Sequence, residues 1–361
     1  MPGVRREPGR LREINGLSLP LDLASRAVGL ALAAGFNRAG IVDPRLLESW
    51  WPAAASRAAA SSSATADGIE WEWVTRPGRW SASSTILVCC LSCFRSEPDD
   101  GSSPGDPHGL IAPFARAHYY RQAVRMLDGV ARRLEQETGI PRSAVRLFSN
   151  SRLPEKPLLA ATGLAAFGRN GCLIVPGLGS LFVIAGAVLP SSTQLPRRAE
   201  PLPDPCGPCR ACQAACPVRA IEQPYVVRRD LCLQSLACTR EGMDEPTMER
   251  WGVRFYGCQG CQAACPHNRG LSETARPATG EIGPSVRLRA FLSEGEESRA
   301  RRLRGTALAM SWVPREALVR NALVAAGNRR DASARADVER WLQGSSPPFL
   351  RRAARWARER L

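Results

Sequence analysis

Histidine is scarce in this chain, with three residues among 361, and lysine is scarcer: of 49 basic side chains only Lys156 is not an arginine. Only His267 falls near the cysteine-rich part of the chain, so a zinc site built from CxxC pairs and histidines lacks its nitrogen ligands. An arginine-for-lysine bias, with alanine also abundant, arises from genomic base composition as readily as from function. The net charge of +15 therefore points to a polyanionic partner, nucleic acid first, without establishing one. Long apolar runs are missing too, and no stretch reaches the length of a membrane span. The nearest early candidate, LDLASRAVGLALAAGF (21–36), contains Asp22 and Arg26 and spaces its apolar residues as a helix does. It reads as an amphipathic helix, not a signal peptide. The expectation is a cytoplasmic chain with no membrane partner. In such a chain, thirteen cysteines speak for metal ligation over disulfides.

What is present divides along the chain. AAASRAAASSSATADG (53–68) is low in complexity and reads as a loop or insertion. STILVCCLSCF (84–94) is a continuous apolar run rich in β-formers, expected as a buried strand. In 113–139, Tyr120, Val124, Leu127, Val130 and Leu134 recur at three- and four-residue steps and Gly139 closes the pattern, which predicts a long helix. SAVRLFS (143–149) reads as a short strand and EKPLLAATGL (155–164) as a helix. CLIV (172–175) and LFVIAGAVL (181–189) read as strands around the turn PGLG. Strands alternating with helices imply an α/β domain. The proline-rich QLPRRAEPLPDP (194–205) is a natural boundary, and from Val286 onward there is no strand signal. The helical stretches 315–327, 336–344 and 349–361 predict a small all-α domain. The expected division is 1–200, 201–275 and 276–361. Residues 298–361 hold 15 arginines against five acidic residues. Solvated helix faces would account for some of that excess. Its concentration makes Arg301, Arg302, Arg304, Arg351 and Arg352 candidate RNA contacts.

The chemistry is carried by CGPCRACQAACP (206–217). Cys206, Cys209, Cys212 and Cys216 stand at the x2, x2, x3 spacing of a bacterial ferredoxin run, with Pro217 after the last. A cubane cluster needs four thiolates converging on one centre. Two-residue gaps wrap three of them, and the fourth, at the start of a helix, points to the other cluster. CQGCQAACP (258–266) repeats the ending. The first [4Fe-4S] cluster is therefore expected to take Cys206, Cys209, Cys212 and the lent Cys265. The second would take Cys258, Cys261 and the lent Cys216, and lacks one ligand. RRDLCLQSLAC offers Cys232 and Cys238, and on spacing alone either serves. Cys89, Cys90, Cys93, Cys172 and whichever cysteine is left over read as small buried side chains.

The cysteine segment resembles that of the epoxyqueuosine reductases. There the first run is followed by a lone cysteine after basic residues, here RRDLC ending at Cys232, and then by an aromatic-glycine-cysteine step, here FYGCQGCQAACPHN. The resemblance selects Cys232 over Cys238. In the same order, AAGFNRAGIVD, FARAHYYRQAVRML, ATGLAAFGRNGCLIVPGLGSLFVIAGAVL and GTALAMSWVPREALVRNALVAAGN resemble the family's other blocks. The likeness implies an α/β domain holding cobalamin, a ferredoxin-like double-cluster segment and a HEAT-like helical tail. Gly168, Arg169 and Asn170 would lie in the cofactor-binding turn. Electrons would pass through the clusters to the cobalt, and an epoxide on a modified nucleoside in the tRNA anticodon loop would be reduced. The electron donor would be a flavodoxin or ferredoxin, and the chain would act as a monomer. DPHGLI (106–111) has Ile111 where a cobalamin-ligating motif wants glycine, so no lower histidine ligand is expected.

Two departures fall near the expected reaction centre. The family's proton-donating aspartate becomes Asn150, in FSNSRLPEKP, and an amide cannot be a general acid. Its Asp-Tyr-His helix start becomes His118, Tyr119 and Tyr120. Glu155, His118 and Tyr119 are the remaining candidates for the proton. The alternatives are a corrinoid iron–sulfur reductase for a small molecule, which Asn150 favours, and an electron-transfer protein without a substrate, which the long α/β part disfavours.

Overall fold

The structure is a computed structural model that describes residues 12–14, 17–19, 23–43, 85–95, 100–151, 153–190, 202–273, 279–343 and 346–361. The 53–68 loop and residues 194–201 of the proline-rich boundary lie outside the described residues. A hairpin of β1 (Arg12–Ile14) and β2 (Leu17–Leu19) comes first, followed by α1 (Leu23–Ala33). Leu23, Ala27 and Ala31 of α1 are buried at four-residue steps, the amphipathic stripe expected there. No helix among the described residues is long and apolar enough to cross a membrane.

The main sheet has the order β3 (Arg38–Val42), β4 (Thr85–Ser92), β9 (Phe182–Leu189), β6 (Arg146–Ser149), and every neighbouring pair is antiparallel. All eight residues of β4 are buried, because both faces of the sheet are covered. Leu87, Cys89 and Leu91 join the core formed with α1 and α2 (Tyr119–Thr138). Ile86, Val88 and Cys90 join the core under α3 (Glu155–Ala161). Gly186 of β9 makes room for Phe148 of β6, whose ring a Cβ there would meet at 2.3 Å.

The long helix starts at Tyr119, not at 113, because Pro113–Ala115 forms a 3-10 turn and His118 caps the helix by accepting from the Arg121 N–H. It ends as expected at Gly139, in the left-handed conformation. β6 is shorter than the 143–149 strand predicted, since Arg142–Ala144 turns as a 3-10 helix after Pro141.

A second sheet ties distant parts of the chain together. β5 (His108–Ile111) lies between β10 (Arg254–Tyr256) and β11 (Ser285–Arg287). β11 is a strand where none was expected beyond Val286. Three residues are too few to show alternation, and only the free edge of β5 makes them a strand. Leu233, Trp251 and Phe255 share one core with Phe291, Leu323 and Trp356 from the C-terminal helices. These helices are α8 (Leu288–Ser293), α9 (Glu296–Leu303), α10 (Arg315–Arg329), α11 (Arg335–Glu339) and α12 (Pro348–Arg358). α10 is buried over most of its surface, and Gly327 lets it approach α12, where a Cβ would lie 2.8 Å from the Ala357 Cα.

Candidate iron–sulfur centre and catalytic face

The sequence repeat is also a repeat in space. The first cysteine run enters the one-turn helix formed by Ala211–Ala214, and the second enters that formed by Gly260–Ala263. The residues before these turns share nearly the same backbone, Arg210 at φ −127°, ψ 17° and Gln259 at φ −121°, ψ 13°. The two turns pack against each other. Between them lies a cavity of about 170 Å³ whose walls carry Cys206, Cys209, Cys212 and, from the other run, Cys265. The Arg169 N–H donates to the Cys206 Sγ at 3.4 Å.

A second group of thiols forms beside the first. Cys232 has Cys258 and Cys216 as electrostatic neighbours, and Cys261 has Cys258 and Cys232. The Ala220 N–H donates to the Cys216 Sγ at 3.2 Å, and the Cys258 N–H to the Gln234 Oε1 at 3.0 Å. Cys238 is engaged elsewhere, its Sγ 3.2 Å from the Tyr256 hydroxyl and its electrostatic neighbour Arg320. Burial first, and neighbouring thiols second, push Cys212 and Cys265 up; burial and those neighbours do the same to Cys232. Four thiolates around one centre would call for a cationic core between them. No three His, Cys, Asp or Glu side chains among the described residues close in as they would around one metal ion. A cubane instead takes one thiolate at each of four irons, spaced farther apart. The donor set therefore fits two four-thiolate clusters.

Cys172 does not keep the bland role expected of it. Its thiol is hydrogen-bonded to Cys261, inside the second group. No spacing rule could have found it, since the β7 (Ala166–Phe167) to β8 (Leu173–Ile174) hairpin brings it there from well upstream. Cys89, Cys90 and Cys93 are fully buried, as expected.

The same hairpin turn carries Gly168, Arg169 and Asn170, and the structure sets it against the first cysteine run. Arg169 donates to the Gly207 carbonyl, Asn170 lines the cavity, and a Cβ on Gly168 would meet the Ile174 side chain at 2.8 Å. Each of the three histidines is engaged. His108 Nδ1 bonds the Ser285 hydroxyl at 2.8 Å, His118 caps α2, and His267 Nε2 bonds the Pro205 carbonyl at 2.8 Å.

The three candidates for the proton, and Asn150 itself, are placed very differently. His118 is buried and its pKa is lowered, chiefly by that burial and then by Arg121, so it is neutral at pH 7. Tyr119 is buried in the α2 core and its hydroxyl accepts from Arg95. Asn150 is exposed just after β6, with φ 50°. Glu155, at the start of α3, is half-buried, and its carboxyl accepts from Ser151.

The candidate RNA-contacting arginines fall in two places. Arg301 and Arg302 lie in the last turn of α9, paired with Glu297 and Glu294, and Arg304 follows that helix. Arg351 and Arg352 stand on the outer face of α12, where with Arg355 they line a depression of about 420 Å³ that also holds Glu245 and Glu359. Other arginines of this region are drawn into ion pairs, as Arg315–Glu296 and Arg360–Glu249 show.

A family described as a 4Fe-4S double cluster binding domain matches residues 205–268. An epoxyqueuosine reductase of Listeria monocytogenes is 29% identical over 58% of this chain and 55% of its own length. One of Staphylococcus aureus is 28% identical over 70% of this chain and 66% of its own. The aligned part is thus about half to two thirds of these relatives. In fold, a crystal structure of an epoxyqueuosine reductase with an epoxyqueuosine-modified tRNA-Tyr stem loop superimposes with a TM-score of 0.77. It is 20% identical, and the match covers 94% of this chain and 90% of that one. The enzyme of Streptococcus thermophilus gives a TM-score of 0.75 at 19% identity, covering 93% and 89%. With two four-thiol groups and the double-cluster segment, the chain is similar to the epoxyqueuosine reductases in sequence and in fold.

Proposed function

We propose that this chain is an iron–sulfur, cobalamin-dependent oxidoreductase that converts epoxyqueuosine to queuosine in tRNA. The observation that carries the reading is the gathering of eight cysteines into two four-thiol groups, each completed by a cysteine of the other run, in a chain with this family likeness. Cys206, Cys209, Cys212 and Cys265 would hold the first cluster, and Cys216, Cys232, Cys258 and Cys261 the second. Backbone N–H groups aimed at Cys206 and Cys216 fit thiolate ligands, since hydrogen bonds to cluster sulfurs tune their potential. Cobalamin, when bound, supplies a strongly reducing metal for breaking the epoxide C–O bond. The hairpin turn at Gly168, Arg169 and Asn170 would fix the first cluster against the α/β part, which we take as residues 1–200. Residues 201–275 would be the cluster segment and 276–361 the basic helical one. A flavodoxin or ferredoxin would bring the electrons to a monomeric, cytoplasmic enzyme.

The deciding experiment is conversion of epoxyqueuosine-containing tRNA by the anaerobically reconstituted protein with cobalamin and a strong reductant. Queuosine in the digested tRNA establishes the activity. No conversion, with clusters and cobalamin bound, overturns it and favours a small-molecule substrate, the reading to which Asn150 already leans. Binding gives a second check. The anticodon loop would be gripped by arginine contacts to phosphate and base. Affinity for a tRNA stem loop should then fall steeply between about 50 and 200 mM salt, because each phosphate contact releases counterions. The Arg351→Ala, Arg352→Ala double variant should show a shallower slope, and a slope equal to the parent's would remove that face of α12 from the interface.

A further inference from the structure

We propose that Glu155 is the proton donor of this site, in place of the acid that Asn150 cannot be. The proposal rests on the reductase reading above and names a residue for its proton. Asn150 adopts a left-handed backbone, uncommon outside glycine and best tolerated by asparagine. The turn it makes folds the chain back onto the first residue of α3. The Ser151 N–H donates to the Glu155 Oε1 at 2.7 Å and the Ser151 hydroxyl to the same oxygen at 2.9 Å. The Asn150 N–H also faces this carboxyl. The acid has moved along the sequence but stays within the same turn as the position where the family carries its aspartate.

Its surroundings suit the role. Glu155, Cys93 and Cys238 are electrostatic neighbours of Tyr120 on α2. Tyr256, two residues before Cys258, neighbours both Tyr120 and Cys238. Glu155 thus shares with Cys238 and Tyr256 the electrostatic neighbourhood of Tyr120. The tyrosines are pushed well up by burial and stay neutral. Lys156, next on the helix, turns away to the Gly171 carbonyl at 3.0 Å. Burial raises Glu155 to about 7 against the pull of the Ser151 and Asn150 hydrogen bonds, so near neutral pH a large share of the carboxyl carries a proton.

The balance is simple. Removing the oxygen of an epoxide leaves a C=C bond and one water, and consumes two electrons and two protons. The electrons come through the clusters from the flavodoxin- or ferredoxin-type donor. Glu155 gives one proton to the oxygen as the C–O bond breaks, solvent gives the other, and the carboxylate is reprotonated from solvent. The acid form predominates below its pKa, so turnover should decline as pH rises through about 7.

The test uses the full chain with both clusters and cobalamin loaded and an epoxyqueuosine-modified stem loop as substrate. Glu155→Gln keeps the shape and can still accept from Ser151. It should lower kcat at least ~100-fold and leave cluster absorbance and stem-loop affinity unchanged. Adding Asn150→Asp to that variant should restore turnover, with the alkaline limb of the pH profile shifted. Infrared titration of the parent should show a protonated-carboxyl band that bleaches near neutral pH and is missing in Glu155→Gln. A Glu155→Gln rate within a few-fold of the parent, or a band that persists in that variant, overturns the proposal and leaves the reductase reading standing. No conversion by the parent overturns the reductase reading, and the donor assignment falls with it.

Discussion

Cys232→Ser should strip the second cluster, taking bound iron from about eight atoms per chain to about four, while Cys238→Ser should leave it unchanged. The two residues are the ends of one short segment. Cys232 caps α5 (Leu233–Leu236), facing Cys216 and Cys258, whereas Cys238 lies beyond that helix against Tyr256. Serine oxygen is a poor replacement for a thiolate on a soft iron–sulfur core. Cys172, whose thiol is hydrogen-bonded to Cys261, is the sulfur best placed to compensate, so the Cys172→Ala, Cys232→Ser double variant completes the comparison. Iron and sulfide analysis with EPR of the reduced protein reads all of these. Eight irons in the Cys232 variant and four in the Cys238 variant would reverse the assignment.

Arg320→Ala should cost on the order of 3 kcal/mol or more of stability, because it leaves several buried carbonyls unpaired. Arg320 is only 1% exposed, and its guanidinium donates to the carbonyls of Leu236, Thr239 and Glu241 at 2.6, 2.8 and 2.7 Å. These carbonyls close the C-terminal end of α5, where a positive charge is favoured. Burial lowers the pKa of Arg320 to about 10, which still leaves it charged at neutral pH. Arg320 thus fastens the helical part to the peptide that presents Cys232. Arg320→Lys should recover only a fraction, since an ammonium cannot span the same set of acceptors. Denaturant unfolding of the reconstituted protein reads the loss, and iron release during storage should quicken in parallel. An unfolding midpoint near the parent's would show that solvent had replaced the guanidinium.

Much of this was written in local pattern. The cysteine spacing announced the double-cluster segment, because a cubane dictates where thiolates must sit along a wrapping loop. The three- and four-residue steps of α2, the stripe of α1 and the apolar run of β4 likewise reflect burial that neighbouring residues impose. Local pattern alone left Cys232 and Cys238 equivalent, and the resemblance chose between them. It is the direction in which α5 enters and leaves its core that separates their surroundings. Nothing in the sequence marked Cys172 or Arg320, because each has its role through partners far along the chain. β11 exists only because β5 offers it an edge. Asn150 announced a missing acid, and the left-handed turn it forms brings Glu155 to the same place, since a backbone that doubles back joins residues that spacing keeps apart. The sequence by itself determined the iron–sulfur chemistry and most of the elements. The tertiary structure decided which side chains meet across them, because contacts between distant segments depend on packing and not on periodicity.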